Sequence, residues 1–185
     1  MPDMAHQLTT SYLEESVAVL HQYRRLGEKS IAQVSDADLT RALDHEANSI
    51  STIVKHIAGN MRSRWTNFLT TDGEKPDRDR DSEFATPLAS REALMALWNE
   101  GWDLVSNTIG ALTDADLTRT VTIRGEPHSV MQAINRQVTH YASHVGQIIL
   151  LAKHFQGENW KPLTIPRNRS VDFNQKVAAG DASQR

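Results

Sequence analysis

Two histidines, His140 and His144, carry the clearest chemical signal in the sequence. They lie four residues apart in a strongly helical stretch, residues 137–155, and residues at this spacing share one face of a helix. Both imidazoles can therefore point at one metal ion inside a helical protein. The pair alone is ambiguous, because interior histidines can also be hydrogen-bonded core residues and a divalent metal usually takes at least one more protein ligand.

The composition restricts which ligands and partners are available. The chain has 185 residues and a formal net charge of −3, from 20 basic and 23 acidic residues. This balance gives no general attraction to nucleic acid or to an anionic membrane, so neither is an expected partner. The sequence contains no cysteine, which excludes disulfides, cysteine-based zinc sites and a cysteine nucleophile. A metal must rely on histidine, carboxylate or water.

The length and hydropathy of the chain suggest one soluble domain. No run approaches the roughly 18 apolar residues of a membrane span, and the first ten residues lack the apolar core of a signal peptide. We therefore expect a cytoplasmic protein. The domain is expected to cover residues 1–160, and a C-terminal tail, residues 161–185, is expected to pack partly on it and then fray.

Four long segments show helical periodicity, and Asp, Asn, Pro and Gly separate them. They predict an all-α four-helix bundle. The expected helices run over 5–34, from a cap at 48 or 49 to near 72, from 87 or 90 to about 110, and from 127–129 to about 156. Residues 72–83 are dense in charge and contain Pro76, so they predict a long exposed crossover between the second and third helices.

A short repeat divides the chain into two similar halves. The sequence DADLTR at residues 36–41 recurs at residues 114–119, each time after an odd-numbered predicted helix and before an even-numbered one. The repeat suggests two related helical hairpins joined by the crossover, and a reused loop without common origin is the alternative. If the halves correspond, the second helix lies beside the metal face of the fourth.

The second predicted helix contains a single histidine, His56. Its neighbours Ile53 and Ile57 belong to the apolar series of that helix, which puts His56 at or beside the buried face. No local motif links His56 to His140, and only tertiary packing can bring the two together. His56 is therefore a candidate third ligand on geometric grounds.

One histidine on the second helix and His-x-x-x-His on the fourth, with a charged crossover between them, resembles the DinB/YfiT-like superfamily of four-helix bundles. The segments KHIAGNMRSRW (55–65), NFLTTDGEK (67–75) and QVTHYASHVGQI (137–148) are similar to a bacterial branch of unknown function. The resemblance implies a divalent metal, zinc or nickel, bound by His56, His140 and His144. It also implies a small-molecule substrate, and some members are thiol transferases that use low-molecular-weight thiols.

Three neutral imidazoles leave a metal its full charge and at least one open position, as in catalytic zinc sites. Hydrolysis and thiol transfer are both chemically accessible there. The other ring nitrogens need hydrogen-bond acceptors, and Glu14, Glu15 and Asp103 on neighbouring helices are candidates.

Asn60 and Arg64 follow His56 by one and two turns, so they are candidates to line a pocket for a polar or anionic substrate. A solvated helix surface with a salt bridge is an equally good interpretation of these two residues. Tyr141 is a further candidate for the lining, but packing in the core is the favoured interpretation. No catalytic residue beyond the ligands is assigned.

Two other classes of function stay open. A non-catalytic metal-binding module, for instance in a stress response, would use the metal to brace the bundle. A dimerising interaction domain would show exposed apolar residues on the first and third helices. We expect a homodimer.

Overall fold

The computed structural model describes residues 11–85, 88 and 90–183. The protein is mostly helical and has one small two-stranded sheet. The helices are α1 (Tyr12–Ile31), α2 (Asp36–Thr40), α3 (Ile50–Trp65), α4 (Ser82–Ala85), α5 (Arg91–Gly110), α6 (Val130–Gln156) and α7 (Ser170–Ala179), and the strands are β1 (Thr120–Ile123) and β2 (Glu126–Ser129). Within the described residues, 3-10 helices occupy Asp114–Thr118 and Gly157–Asn159.

A serine caps each of the four long helices. Ser11, Ser49, Ser90 and Ser129 each accept a hydrogen bond from the backbone N–H three residues on. Such a cap stabilises a helix by about 1 kcal/mol and fixes its first residue. The predicted starts at Ser49, Ser90 and Ser129 are confirmed, while the predicted start of the first helix, residues 5–10, lies outside the described residues.

The core lies among the four long helices. Helix α1 packs against α5 and α6, and α3 packs against the same two helices. The largest buried side chains are Trp65, Trp98, Trp102 and Tyr141. Gly27 allows α1 and α5 to approach closely, because a Cβ atom there would lie 2.4 Å from the Trp98 ring. The packing places α3 directly beside α6, the two helices that carry the three candidate ligands.

Helix α3 ends at Trp65, about seven residues earlier than the expected end near 72. The chain leaves the helix because Thr66 adopts extended angles and Asn67 has a positive φ of 50°, a conformation that asparagine tolerates better than most residues. Residues 66–71 form turns instead. The early end releases enough chain for the crossover to fold back along α3.

The expected start of the fourth helix, residues 127–129, overlaps a β-hairpin that the sequence analysis missed. Strands β1 and β2 pair antiparallel, with Pro127 opposite Thr122. Arg124 and Gly125 both have positive φ, 56° and 76°, as a tight type I′ hairpin turn requires. The hairpin leads directly into α6 through the Ser129 cap.

Asp72 fastens the start of the crossover to this hairpin. Its carboxylate accepts hydrogen bonds from the backbone N–H groups of Glu74 (2.7 Å), Arg124 (2.8 Å) and Gly125 (2.7 Å). The bonds from Glu74 and Gly125 are the main reason that the pKa of Asp72 falls to about 2. The backbone N–H of Gly73 also donates to the carbonyl of Thr122 at 2.8 Å.

The two copies of the repeat have similar local structures. Residues 36–40 form α2 and residues 114–118 form a 3-10 helix, and in each copy the final arginine pairs with the aspartate three residues before it. A common origin and a reused loop both account for this similarity. The two-hairpin origin therefore stays a prediction.

The C-terminal tail contains a helix where fraying was expected. Its beginning is held beside the turn that follows α1, because the Gln33 side chain exchanges two hydrogen bonds with the backbone of Lys161. Helix α7 follows and has no buried residue. Among the described residues, no helix combines the length and apolar character needed to cross a bilayer.

Candidate metal centre

His56, His140 and His144 converge between α3 and α6. One ring nitrogen from each lies within 4.8 Å of the other two. The His56 ring centroid is 5.5 Å from that of His140 and 5.0 Å from that of His144. Because α3 and α6 run antiparallel, His56 lies opposite the His140–His144 pair and Asn60 lies opposite Tyr141. The trio predicted from the sequence is thus brought together in space.

The separation of the two α6 histidines fits a shared metal ion. Their Nε2 atoms are 3.1 Å apart. Two histidine nitrogens bound to a tetrahedral zinc ion at about 2.0–2.1 Å would be roughly 3.3 Å apart. The residues present can therefore hold a divalent metal with little movement of α6.

His56 is oriented by a buried carboxylate. Its Nδ1–H donates to Glu83 Oε2 at 2.8 Å, and both side chains are only 7% exposed. Arg78 donates to both oxygens of Glu83, at 2.8 and 3.0 Å. Burial would raise the pKa of Glu83, but the hydrogen bonds from His56 and Arg78 outweigh it and lower that pKa below its usual range. A carboxylate that holds one nitrogen of a ligand histidine leaves the other free for the metal.

The two α6 histidines are held less completely. His144 Nδ1–H donates to Gln147 Oε1 at 2.9 Å, whereas His140 Nδ1 is buried without a hydrogen-bond partner among the described residues. Burial, followed by the charges of His144 and His56, lowers the pKa of His140 to about 3. Burial also lowers the pKa of His144. Both rings are therefore neutral near pH 7, the form that binds metals.

A cavity of about 350 Å³ opens beside His140. Asn60 and Arg64, two of the predicted pocket residues, are part of its lining. Arg64 is 5% exposed; it donates to the carbonyl of Gly73 and, at 3.0 Å, to Glu74. Burial lowers the pKa of Arg64, and the partnership with Glu74 opposes that effect.

Tyr141, the third predicted pocket residue, lies behind this cavity in the core. It is fully buried, accepts a hydrogen bond from Trp65 Nε1 at 2.9 Å and donates to Asn60 Oδ1 at 3.1 Å. It therefore supports Asn60 from the interior, and its own side chain is not part of the cavity lining.

Comparison with known sequences places this arrangement in a family. Residues 7–169 match the sequence model of DUF1572, a family described as proteins of unknown function. The chain belongs to the DUF1572 family. The matched range contains the three histidines and Glu83, and it ends just before α7. No curated protein matches the chain.

In this DUF1572 protein, the residue that accepts the hydrogen bond from His56 comes from the crossover. The expectation that Glu14, Glu15 or Asp103 would accept it was wrong. Glu14 accepts from the backbone of Ser11 and completes the cap of α1, and Asp103 pairs with Arg24 at 2.6 Å. Glu15 is exposed on α1. These carboxylates serve helix ends and the surface, whereas Glu83 contacts the ligand.

The expectation of an exposed crossover was wrong for part of the segment. Glu83 and Arg78 are buried against α3, although most of their neighbours in the run are exposed. Burying the pair is feasible because each charge neutralises the other. Gly59 is the sequence feature that could have indicated the contact between Glu83 and α3. A Cβ atom at this position would lie 2.2 Å from Glu83 Oε1, so only glycine leaves room for the carboxylate. A glycine three residues after a candidate ligand in a helix marks where another segment can approach.

Proposed function

We propose that this DUF1572 protein is a DinB-like four-helix bundle that binds a divalent metal, zinc or nickel, through His56, His140 and His144. The bound metal would serve an enzymatic reaction, either transfer of a small thiol or hydrolysis. One observation carries the proposal: two neutral imidazoles present Nε2 atoms 3.1 Å apart opposite a third imidazole that a buried carboxylate orients.

In the proposed site, the histidines would bind the metal, and Glu83 and Arg78 would position one of them. His56, His140 and His144 supply three uncharged ligands, which leave at least one coordination position for water or substrate. Glu83 fixes the ring of His56, and Arg78 keeps Glu83 ionised. When bound, a metal lowers the pKa of a coordinated water or thiol, which is the chemistry that both reactions need.

The first experiment measures metal content by mass spectrometry. We expect about one metal ion per chain in the wild-type protein. We expect less than about a tenth of that in His144→Ala, because the variant loses one of three ligands. His45→Ala is the matched control, since His45 lies outside the site with 89% of its side chain exposed. Equal metal in the wild type and in His144→Ala would overturn the proposal.

A second measurement separates an enzyme from a metal-braced module. A structural site should lose several kcal/mol of stability when a chelator removes the metal, and a catalytic site much less. We expect a small loss, because Glu83 and Arg78 hold His56 through hydrogen bonds that need no metal. The metal-loaded protein should then be assayed for consumption of low-molecular-weight thiols with an alkylating electrophile, and for ester hydrolysis, with His144→Ala as the inactive control.

The interaction-module alternative has less support from the surface. Exposed apolar residues on the first and third long helices, α1 and α5, would favour it. In the part of the chain that the structure describes, the exposed large apolar residues lie elsewhere: Leu43, Met131, Leu150, Ile165, Val171 and Val177. The homodimer and the cytoplasmic location stay predictions, and gel filtration at micromolar concentration tests the first.

A further inference from the structure

Three residues in the lining of the cavity beside His140 each carry a buried polar atom without a hydrogen-bond partner among the described residues. The atoms are Arg64 Nε, Gln137 Oε1 and His140 Nδ1. Arg64 and Gln137 are only 5% and 4% exposed. Buried polar groups without a partner are costly and uncommon, so several around one cavity indicate a place where a ligand supplies the partners.

The charges around the cavity favour an anion. Arg64 and Arg136 are part of its lining, and none of the described acidic residues is. Arg64 shares its partner Glu74 with Arg124, which lies 3.0 Å from the same Glu74 oxygen. Arg136 forms no ion pair within the described chain. By contrast, the larger cavity between α3 and α5 has four basic and four acidic residues in its lining, so it has no such excess.

We propose that this cavity binds the carboxylate group of the substrate, a conclusion that rests on the proposed metal-dependent function. Arg64 Nε–H and His140 Nδ1–H can donate to the carboxylate oxygens, and Arg136 supplies the opposite charge. Gln137 Oε1 is an acceptor, so its partner must be a donor elsewhere on the substrate. A monoanion fits better than a phosphate dianion, because Glu74 already partly neutralises Arg64 and leaves Arg136 as the main source of uncompensated charge in the described lining. The substrate class is therefore a small molecule with a carboxylate near its reacting group.

The carboxylate would also act on the metal site. It accepts a hydrogen bond only from a protonated Nδ1, so it favours the His140 tautomer in which Nε2 carries no proton. That tautomer is the one whose Nε2 can bind the metal. Carboxylate and metal should consequently strengthen each other's binding by the same factor, as thermodynamic linkage requires.

The test uses propionate as the probe, with propionamide as its neutral analogue and inorganic phosphate as the dianion. Binding is followed on the metal-free protein by NMR of ¹⁵N-labelled histidine, which reports the tautomer of each ring. We expect saturable binding of propionate, a shift of His140 toward the Nδ1–H form, and little change at His56. Zinc affinity, measured by competition with a chromophoric chelator, should rise when propionate is added.

Arg136→Gln is the decisive variant because Arg136 is exposed and can be replaced without opening the core. Propionate should bind it about tenfold more weakly, since a charge-assisted hydrogen bond is lost. Arg25→Gln is the matched control, because Arg25 is also exposed but lies on α1. This variant should bind propionate as the wild type does. In Arg136→Gln, adding propionate should raise the zinc affinity less than it does in the wild type.

The outcomes separate this inference from the proposed function. The subsite is wrong if propionate does not saturate, if propionamide binds equally well, if phosphate binds more tightly, or if Arg136→Gln has no effect. Propionate binding by a protein that takes up no metal would contradict the proposed function and leave a carboxylate site. Metal uptake without propionate binding would leave the metal site and remove the subsite.

Discussion

His56 and His140 face each other across the candidate metal centre, yet their surroundings differ. The Nδ1 atom of His56 is held by a buried carboxylate that an arginine holds in turn, while the Nδ1 atom of His140 has no partner among the described residues and borders a cavity. The α3 side of the site is therefore organised by the protein alone. The α6 side is incomplete and faces the place where a substrate would bind.

In the proposed metal centre, His56 would be a fixed ligand and His140 an adjustable one. Outer partners of a metal ligand typically change metal affinity 10- to 100-fold. A partner contributed by the protein is always present, and a partner contributed by a substrate is present only when the substrate is bound. Variants that disturb either side test the comparison.

The largest effect is expected from Glu83→Ala. Metal affinity should fall about 10- to 100-fold, because His56 loses its orienting acceptor. The free energy of unfolding should fall by about 3 kcal/mol, the low end for a broken buried ion pair, since Arg78 retains Glu74 at 3.5 Å. Zinc competition and urea denaturation measure the two effects. Glu100→Ala removes the acid of an exposed pair with Arg62, and it should change neither quantity appreciably.

Gly59→Ala should give a smaller loss while keeping every charged group. Its new Cβ atom would lie 2.2 Å from Glu83 Oε1 and must displace that carboxylate. We expect metal affinity to fall about tenfold and stability to fall by about 1–2 kcal/mol.

Gly146→Ala on α6 is the control for Gly59→Ala, because its Cβ position has no described heavy atom within 4 Å beyond its chain neighbours and the adjacent backbone of its own helix. This exchange should stabilise the protein by about 0.5–1 kcal/mol through helix propensity alone. If both exchanges stabilise the protein, the close contact between Gly59 and Glu83 does not exist in solution.

The burial of His140 on α6 should make the stability of the metal-free protein depend on pH. The pKa of His140 is about 3 in the folded chain, against 6.5 for an unperturbed histidine, so the unfolded chain takes up the proton first. Stability is full above pH about 6.5 and should decline as the pH falls toward 3. Urea denaturation in EDTA at pH about 7.5 and about 5 measures the decline. His140→Gln should make it shallower, and an unchanged slope would contradict the burial of His140.

The smallest effect is expected from Gln147→Ala. Gln147 holds His144 Nδ1 at 2.9 Å, but it is exposed and water can replace it. Metal affinity should fall only about threefold. A loss as large as that of Glu83→Ala would mean that the α6 side is as rigidly organised as the α3 side.

The helices that carry the three histidines were predictable, because helical periodicity and serine caps are local signals. His56 could be placed on the buried side of its helix from Ile53 and Ile57 alone. The same signals fixed the starts of α3, α5 and α6 at Ser49, Ser90 and Ser129.

The hydrogen-bond partners of the histidines could not be predicted, because Gly59 marks a place of close approach on α3 but does not identify the segment that approaches. Glu83 lies in a run of charges that resembles a solvated loop, and only its pairing with Arg78 makes burial favourable. The hairpin turn at Arg124 and Gly125 was missed because Pro127 and Ser129 also resemble a helix start. The first error concerns a contact between segments that are distant in the sequence, and the second concerns a local pattern that fits two structures.

The crossover is attached at both ends, to the hairpin turn through Asp72 and to His56 through Glu83. A segment held this way should open and close as one unit, so amides far from the metal would report on it. Metal binding, by tightening His56 on Glu83, should slow hydrogen exchange at the amides of Arg124 and Gly125, which donate to Asp72. Hydrogen exchange in the hairpin would then report whether a metal is bound at the distant histidines.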